Sequence, residues 1–300
     1  MKAFPIPVVP FGPGSQVEDE TLNYMSMPQG MDTYRAPPLP EPEELAGHAG
    51  AHAVLRETLR ALELVGRQGG TRCVTLAGLA AEDLALLNQV MGEGEVSARV
   101  LPGAEGGREV QVQESVFAGV WRVTVVDEGG LVRDHLEVGA VPQVLRDAAA
   151  ADSALFIAPA LPDPLPAEVM NAPQLIGEIE DASRRRVPGA EAHVVNLTLL
   201  PVSPMDIALI DHRLGTGRVL ILSRGYGNCR ITNTGLRHGW RVVYYNSQDA
   251  VILNTVELTD MPQAACAAPD DLQDSHERLQ DVLRWVEGLE DAAGTPRRPS

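Results

Sequence analysis

Residues 222–234 read LSRGYGNCRITNT, with Cys229 placed after two glycines between an apolar run and an alternating polar one. Four chemistries use such residues: phosphate binding, metal or redox chemistry, nucleophilic catalysis, and recognition of another protein. A phosphate loop requires a strand, then glycines, then a helix whose first amides face the anion. Here the order is reversed. Gly215-x-Gly217 and its twin Gly92-x-Gly94 each follow a helical pattern and precede a strand-like run, which predicts helix C-caps. Gly225-Tyr226-Gly227 lies between two strand-like runs and lacks the lysine of a P-loop.

A cysteine nucleophile requires a histidine base and an orienting group, and His212 and His238 approach Cys229 only in sequence. A thiolate metal site requires more sulfur or imidazole than the segment around Cys229 offers. Cys73, Cys229 and Cys266 are widely spaced, odd in number and without CxxC spacing, which argues against a disulfide framework and fits a reducing cytoplasm. His48 and His52 stand at i, i+4, a spacing that chelates zinc or nickel, but no third ligand is identifiable. Metal candidates are therefore limited to Cys229, His48 and His52, and no cofactor is implied. The plain alternatives are packed or surface histidines and a buried or half-buried cysteine at a strand start or edge.

The elements that hold these residues follow from periodicity. PEPEE at 40–44 opens a helix with an early proline and acids in its first turn. Leu45, His48, His52, Leu55, Leu59 and Leu62 then form one stripe running to Gly69-Gly70. Farther on the chain repeats itself. AAEDLALLNQVMGEGEV at 80–96 aligns without a gap to SPMDIALIDHRLGTGRV at 203–219, pairing Asp83 with Asp206. Trp121-Arg122-Val123 then matches Trp240-Arg241-Val242, and Glu137 and Pro142 match Glu257 and Pro262. Each copy reads as a helix, a Gly-x-Gly exit and several strands, which in the second copy are VLILS, CRITNT, WRVVYYN and AVILNTVEL. Their short connections favour antiparallel pairing.

The expected fold class is α+β: two tandem repeats, each a helix packed on an antiparallel sheet, with an extended Pro-rich N-terminal arm and a C-terminal amphipathic helix. The expected divisions are an arm over 1–42, an amphipathic helix over 43–70 and a first, degenerate repeat over 71–150. A linker with a helix follows over 151–195, then the second repeat with its closing helix over 196–290, and a disordered tail over 291–300. Nine of the 23 prolines fall within the arm, which also carries Met25, Met27 and Met31 as pliable apolar contacts.

Composition excludes several classes of function. At 300 residues and 44% hydrophobic the chain can bury a sizeable core, and its length favours two folded units. A formal charge of −17 argues against nucleic-acid binding, and Arg184-Arg185-Arg186 reads as a solvated helix end. Pro5, Pro7 and Pro10 interrupt any signal helix, and no apolar run reaches membrane-spanning length, so no membrane insertion is expected.

Comparing the copies sharpens the opening question. The second has SRGYGNC where the first has the longer LPGAEGGRE. Specific recognition is therefore expected in the second copy, from Arg224, Gly225, Tyr226, Gly227, Asn228 and Cys229 on one loop and from Asn246, Ser247, Gln248 and Asp249 at a turn.

LSRGYGNCRITNT, VVYYNSQDAVILNTVEL, and the N-terminal FPIPVVPFGPGSQ with YMSMPQGMDTYRAPPLPEPEE resemble the HupH/HyaF/HoxQ hydrogenase expression and formation proteins. The likeness runs through almost the entire chain, with 80–150 its weaker part. It implies a cytoplasmic accessory protein for maturation of an uptake nickel–iron hydrogenase, acting on the iron–sulfur small subunit before export. It brings no catalytic residues and implies no enzyme. Its partners would be the small-subunit precursor, which carries a basic twin-arginine signal, and other hydrogenase accessory proteins. The runner-up is a metal or iron–sulfur cluster carrier using Cys229 with Cys73, Cys266 or a histidine. A thiol-dependent enzyme ranks third for want of an acid/base constellation.

Overall fold

The leucine stripe of the first helical pattern winds into α1 (Ala49–Gln68), which buries Ala51, Val54, Leu55, Ala61, Leu62 and Val65 on one side. The structure is a computed structural model that describes residues 47–103, 106–225 and 227–286. The arm over 1–42 with its three methionines, the PEPEE helix start, Tyr226 and the tail over 291–300 lie outside the described residues.

After α1 come β1 (Arg72–Thr75), α2 (Ala81–Met91), β2 (Val96–Val100), β3 (Glu109–Glu114), β4 (Val120–Asp127) and β5 (Gly130–Val138). Consecutive strands from β2 to β5 pair antiparallel, and β1 adds to the far side of β5. The strand order is thus β1-β5-β4-β3-β2. The chain continues through α3 (Gln143–Leu155) to α4 (Ala172–Arg185), β6 (His193–Asn196), α5 (Pro204–Leu214), β7 (Val219–Ser223), β8 (Asn228–Asn233), β9 (Gly239–Tyr245) and β10 (Val251–Leu258). These strands repeat the pattern, with order β7-β8-β9-β10-β6 and antiparallel pairing throughout. The last helix, α6, spans Pro269–Val286.

The α+β class and the tandem repeat therefore hold, but each repeat is larger than its matched blocks. Two helices pack on each sheet rather than one. The helices read from sequence as lying outside the repeats open each copy as α1 and α4, each followed by a short edge strand. In the first copy α1, α2 and the inner faces of β1, β4 and β5 share a core through Leu55, Leu62, Leu87, Val74, Val120 and Leu136. In the second, Ile176 and Ile179 of α4, Leu209 and Ile210 of α5, Val195 of β6 and Val256 of β10 do the same.

The described residues divide into two compact units, Arg146–Ala265 in one and residues 47–145 together with 266–286 in the other. The closing helix α6, expected with the second repeat, packs in the first unit: its Leu279, Val282 and Leu283 join the α1 core. What decides its place is the apolar face it meets, not the strand it follows. The residues of α3 beyond Leu145 belong likewise to the second unit, where Asp152 bonds to Arg218 and Asn233.

Gly92 and Gly215 are the C-caps of α2 and α5, with φ of 53° and 65°. Their N–H groups return to Asn88 and Asp211 carbonyls at 2.9 Å each, so these amides are spent within the caps and are not free for phosphate.

Candidate functional site

Asn228 opens β8 and pairs with Tyr245, the last residue of β9. That pairing puts the β7–β8 loop beside the β9–β10 turn at one end of the second unit's sheet, so the structure brings together the two segments singled out from sequence. Arg224, Gly225 and Gly227 are exposed and Asn228 is half-buried. Gly227 adopts φ 98°, a conformation that a side chain would strain, and its N–H returns to the Arg224 carbonyl at 3.3 Å. The loop thus presents Arg224 on a tight backbone turn.

The β9–β10 turn is built by Asn246. Its Oδ1 accepts from the backbone N–H groups of Gln248 and Ala250, both at 2.9 Å, and its carbonyl accepts from Asp249 N at 3.1 Å. Asp249 holds a left-handed φ of 57°. Ser247, Gln248 and Asp249 are exposed, whereas the oxygen of the Asn246 amide is spent on the turn itself.

Cys229 is not on this surface. It lies in a strand flanked on both sides by partners, Ser223 of β7 and Tyr244 of β9, and is 1% exposed. This corrects its placement on the loop and at a strand edge. Burial pushes its thiol up to about 12, with the charge of Glu257 adding to the rise and a hydrogen bond with Tyr244 opposing it. Burial thus disfavours the thiolate that a nucleophile or a metal ligand requires. Strand register equates Cys229 with Val110 of the first repeat, since β3 (Glu109–Glu114) and β8 (Asn228–Asn233) occupy the same place. An apolar residue stands there too, half-buried rather than buried.

Neighbouring residues that sequence reasoning missed complete the loop end. Arg230 and Tyr245 face the opposite side of the sheet from Cys229; burial pushes the Tyr245 phenol up and the Arg230 charge opposes this. The segment after β6 also reaches this end. Leu197 N donates to the Asn254 carbonyl at 2.9 Å and Asn254 N to Thr198 Oγ1 at 2.7 Å. Beyond them Leu199 is 80% exposed, and Ile252 of β10 is 56% exposed. The apolar run LTLLP was the available signal, and its buried residue is Leu197.

The metal candidates do not converge. His48 Nδ1 lies 3.4 Å from Asp83 Oδ1 at the start of α1, and the half-buried His52 donates its backbone N–H to the His48 carbonyl at 3.0 Å. Cys73, Cys229 and Cys266 are all free thiols, and Cys73 is exposed with Arg133 Nη2 3.9 Å from its sulfur. Among the described residues no group of three His, Cys, Asp or Glu side chains is arranged to hold a metal ion, and no helix is long and apolar enough to cross a membrane.

The family model described as the HupH hydrogenase expression protein, C-terminal conserved region, matches this chain twice, over 49–156 and 169–286. The two matches start at α1 and just before α4, as the two structural repeats do. The hydrogenase expression/formation protein HoxQ of Cupriavidus necator is 54% identical over 95% of this chain and 99% of its own length. The hydrogenase expression/formation protein HupH of Rhodobacter capsulatus is 49% identical over 94% and 98%. The hydrogenase-1 operon protein HyaF of Escherichia coli is 33% identical over 92% and 95%.

Proposed function

This chain belongs to the HupH family of hydrogenase expression proteins, and from that premise we propose that it is a non-catalytic assembly chaperone that holds the iron–sulfur small subunit of an uptake hydrogenase in the cytoplasm before export. A role in hydrogenase maturation follows from its relatives, which are named for expression and formation rather than for a catalysed reaction. The holding surface is the loop end of the second repeat: Arg224, Gly225, Gly227 and Asn228, with Ser247, Gln248 and Asp249 beside them.

The observation that carries this reading is the Asn228–Tyr245 pairing, which sets two exposed loops side by side while turning Cys229 inward. Exposed polar groups on rigid strand ends suit recognition. The burial of Cys229, which raises its thiol pKa, speaks against its use by a carrier or a thiol enzyme. The formal charge of −17 adds attraction for the basic signal segment of a small-subunit precursor.

The test is capture by the tagged full chain of the small-subunit precursor and of the large subunit, each expressed alone. Retention of the small subunit is expected, and retention of the large subunit only would overturn the reading. Stoichiometric iron or nickel in anaerobically purified protein would favour the carrier instead.

A further inference from the structure

The two units carry matching corners with opposite electrostatics. In the second, Asn233 at the end of β8 accepts from Val219 N at 2.9 Å and donates through Nδ2 to Asp152 of α3 at 3.0 Å. Asp152 also accepts from Arg218 Nε at 2.6 Å and Arg218 N at 2.7 Å. A carboxylate, an amide and a guanidinium meet there, and the charges cancel.

The first unit has Glu114 at the end of β3 in the place of Asn233, and Glu95 just before β2 in the place of Arg218. Asp271, in the first turn of α6, accepts from Ala268 N at 3.2 Å, and its charge acts on Glu114. Three acids occupy the corner. Glu95 and Asp271 are exposed, but Glu114 is only 6% exposed. Its Oε1 accepts from Gly119 N at 3.1 Å, and Val96 N is its second backbone donor. Burial pushes its carboxyl up to about 7; the two amides oppose this, and the charges of Glu95 and Asp271 add to the rise.

The first turns of α6 lie directly over this corner. Leu272 fills the space at Gly119 so closely that a Cβ there would collide with its side chain, and Ala267 N donates to the Ala140 carbonyl at 2.8 Å. Farther along α6, the half-buried His276 stands one turn after Leu272, and Arg278 donates to the Val116 carbonyl at 3.3 Å, lies over the Phe117 ring and pairs with Asp274 at 3.5 Å.

We infer that Glu114 is a proton-operated latch on the last helix: buried beneath the first turn of α6, it lets that turn seat when protonated, and its ionisation beside Glu95 and Asp271 drives that turn off the first unit. The second unit has no such device, because Asn233 cannot ionise. Docking of α6 is therefore tight at mildly acidic pH and loosens toward neutrality, which gives the protein a segment whose release follows proton concentration.

Hydrogen exchange of the full chain between about pH 5.5 and 8.5, corrected for intrinsic rates, tests this on peptides spanning 267–279, with α3 peptides as internal control. Protection at 267–279 is expected to fall by up to about tenfold per pH unit until near neutrality and then to level off, since one proton is linked to opening. Glu114→Gln should make that protection independent of pH. Glu95→Gln alters only an exposed group and removes one repelling charge, so it should move the midpoint to lower pH. Constant protection at 267–279 in the unaltered chain, an unchanged slope in Glu114→Gln, or an unmoved midpoint in Glu95→Gln would each overturn the latch.

Discussion

Oδ1 of Asp206 lies 2.8 Å from the backbone nitrogen of Ala172, so a carboxylate on the first turn of α5 caps the first turn of α4. The same oxygen accepts from Met170 N at 2.8 Å and Asn171 N at 2.9 Å, and Oδ2 accepts from Ser203 N at 2.8 Å. Two helix N-termini, each rich in unsatisfied N–H groups, converge on one anion. The first repeat places Asp83 equivalently, so close to the start of α1 that a Cβ on Gly50 would collide with it.

Asp206→Ala should therefore cost about 3 kcal/mol or more, because it strands several buried donors at once. Burial alone would raise the Asp206 pKa, but the amides of Ser203, Ala172, Met170 and Asn171 together hold it below the usual carboxylate range. A folded-state pKa lowered in this way contributes stability that is present above about pH 4 and lost as pH falls through the folded value. Urea titrations at several acidic pH values should show the variant converging on the parent as pH falls. A cost under about 1 kcal/mol at pH 7 would mean that the cap is dispensable.

Cys229→Val should change the melting temperature little, since Val110 fills the same position in the first repeat and the swap stays apolar and similar in size. Cys229→Ser should cost about 1–3 kcal/mol by burying a hydroxyl. Alkylation of the folded protein near pH 8 should modify Cys73 and spare Cys229. A fully folded Cys229→Val protein that no longer supports hydrogenase maturation would return the thiol to the centre of the function.

Arg224→Ala should weaken small-subunit capture by about 2 kcal/mol, the scale of an interface anchor, with no change in thermal stability. Asn246→Ala should do the reverse, costing about 1–2 kcal/mol of stability because two turn amides lose their acceptor. Paired binding and melting measurements separate the two effects. A destabilised Arg224→Ala protein with unaltered capture would remove the loop from the partner surface.

Trp121 Nε1 donates to the Gly139 carbonyl at 2.8 Å, and Trp240 Nε1 donates to the Thr259 carbonyl at 3.1 Å. If the repeats are energetically as well as structurally equivalent, Trp121→Phe and Trp240→Phe should each cost about 1–2 kcal/mol by leaving a buried carbonyl without its donor. A difference between them well above that scale in chemical denaturation would show that the copies have diverged in packing.

By itself the sequence determined whatever is encoded in short windows. Asp83 and Asp206, the capping glycines and the two tryptophans Trp121 and Trp240 perform tasks that tolerate few residue types, so they repeat visibly and reveal the tandem architecture. Strand runs joined by short connections dictate antiparallel pairing, and a turn needs Asn246 where it stands. Only the tertiary structure decided what depends on partners distant in the chain. An opening helix needs apolar spacing rather than particular residues, so the kinship of α1 with α4 left too few matching letters to be seen. Cys229 faces inward because register sets which side of a sheet a residue takes, and a shift of one position would reverse it. The place of α6 and the acidity of Glu114 arise from surfaces and charges brought together across more than a hundred residues, where burial and Coulomb repulsion act through space.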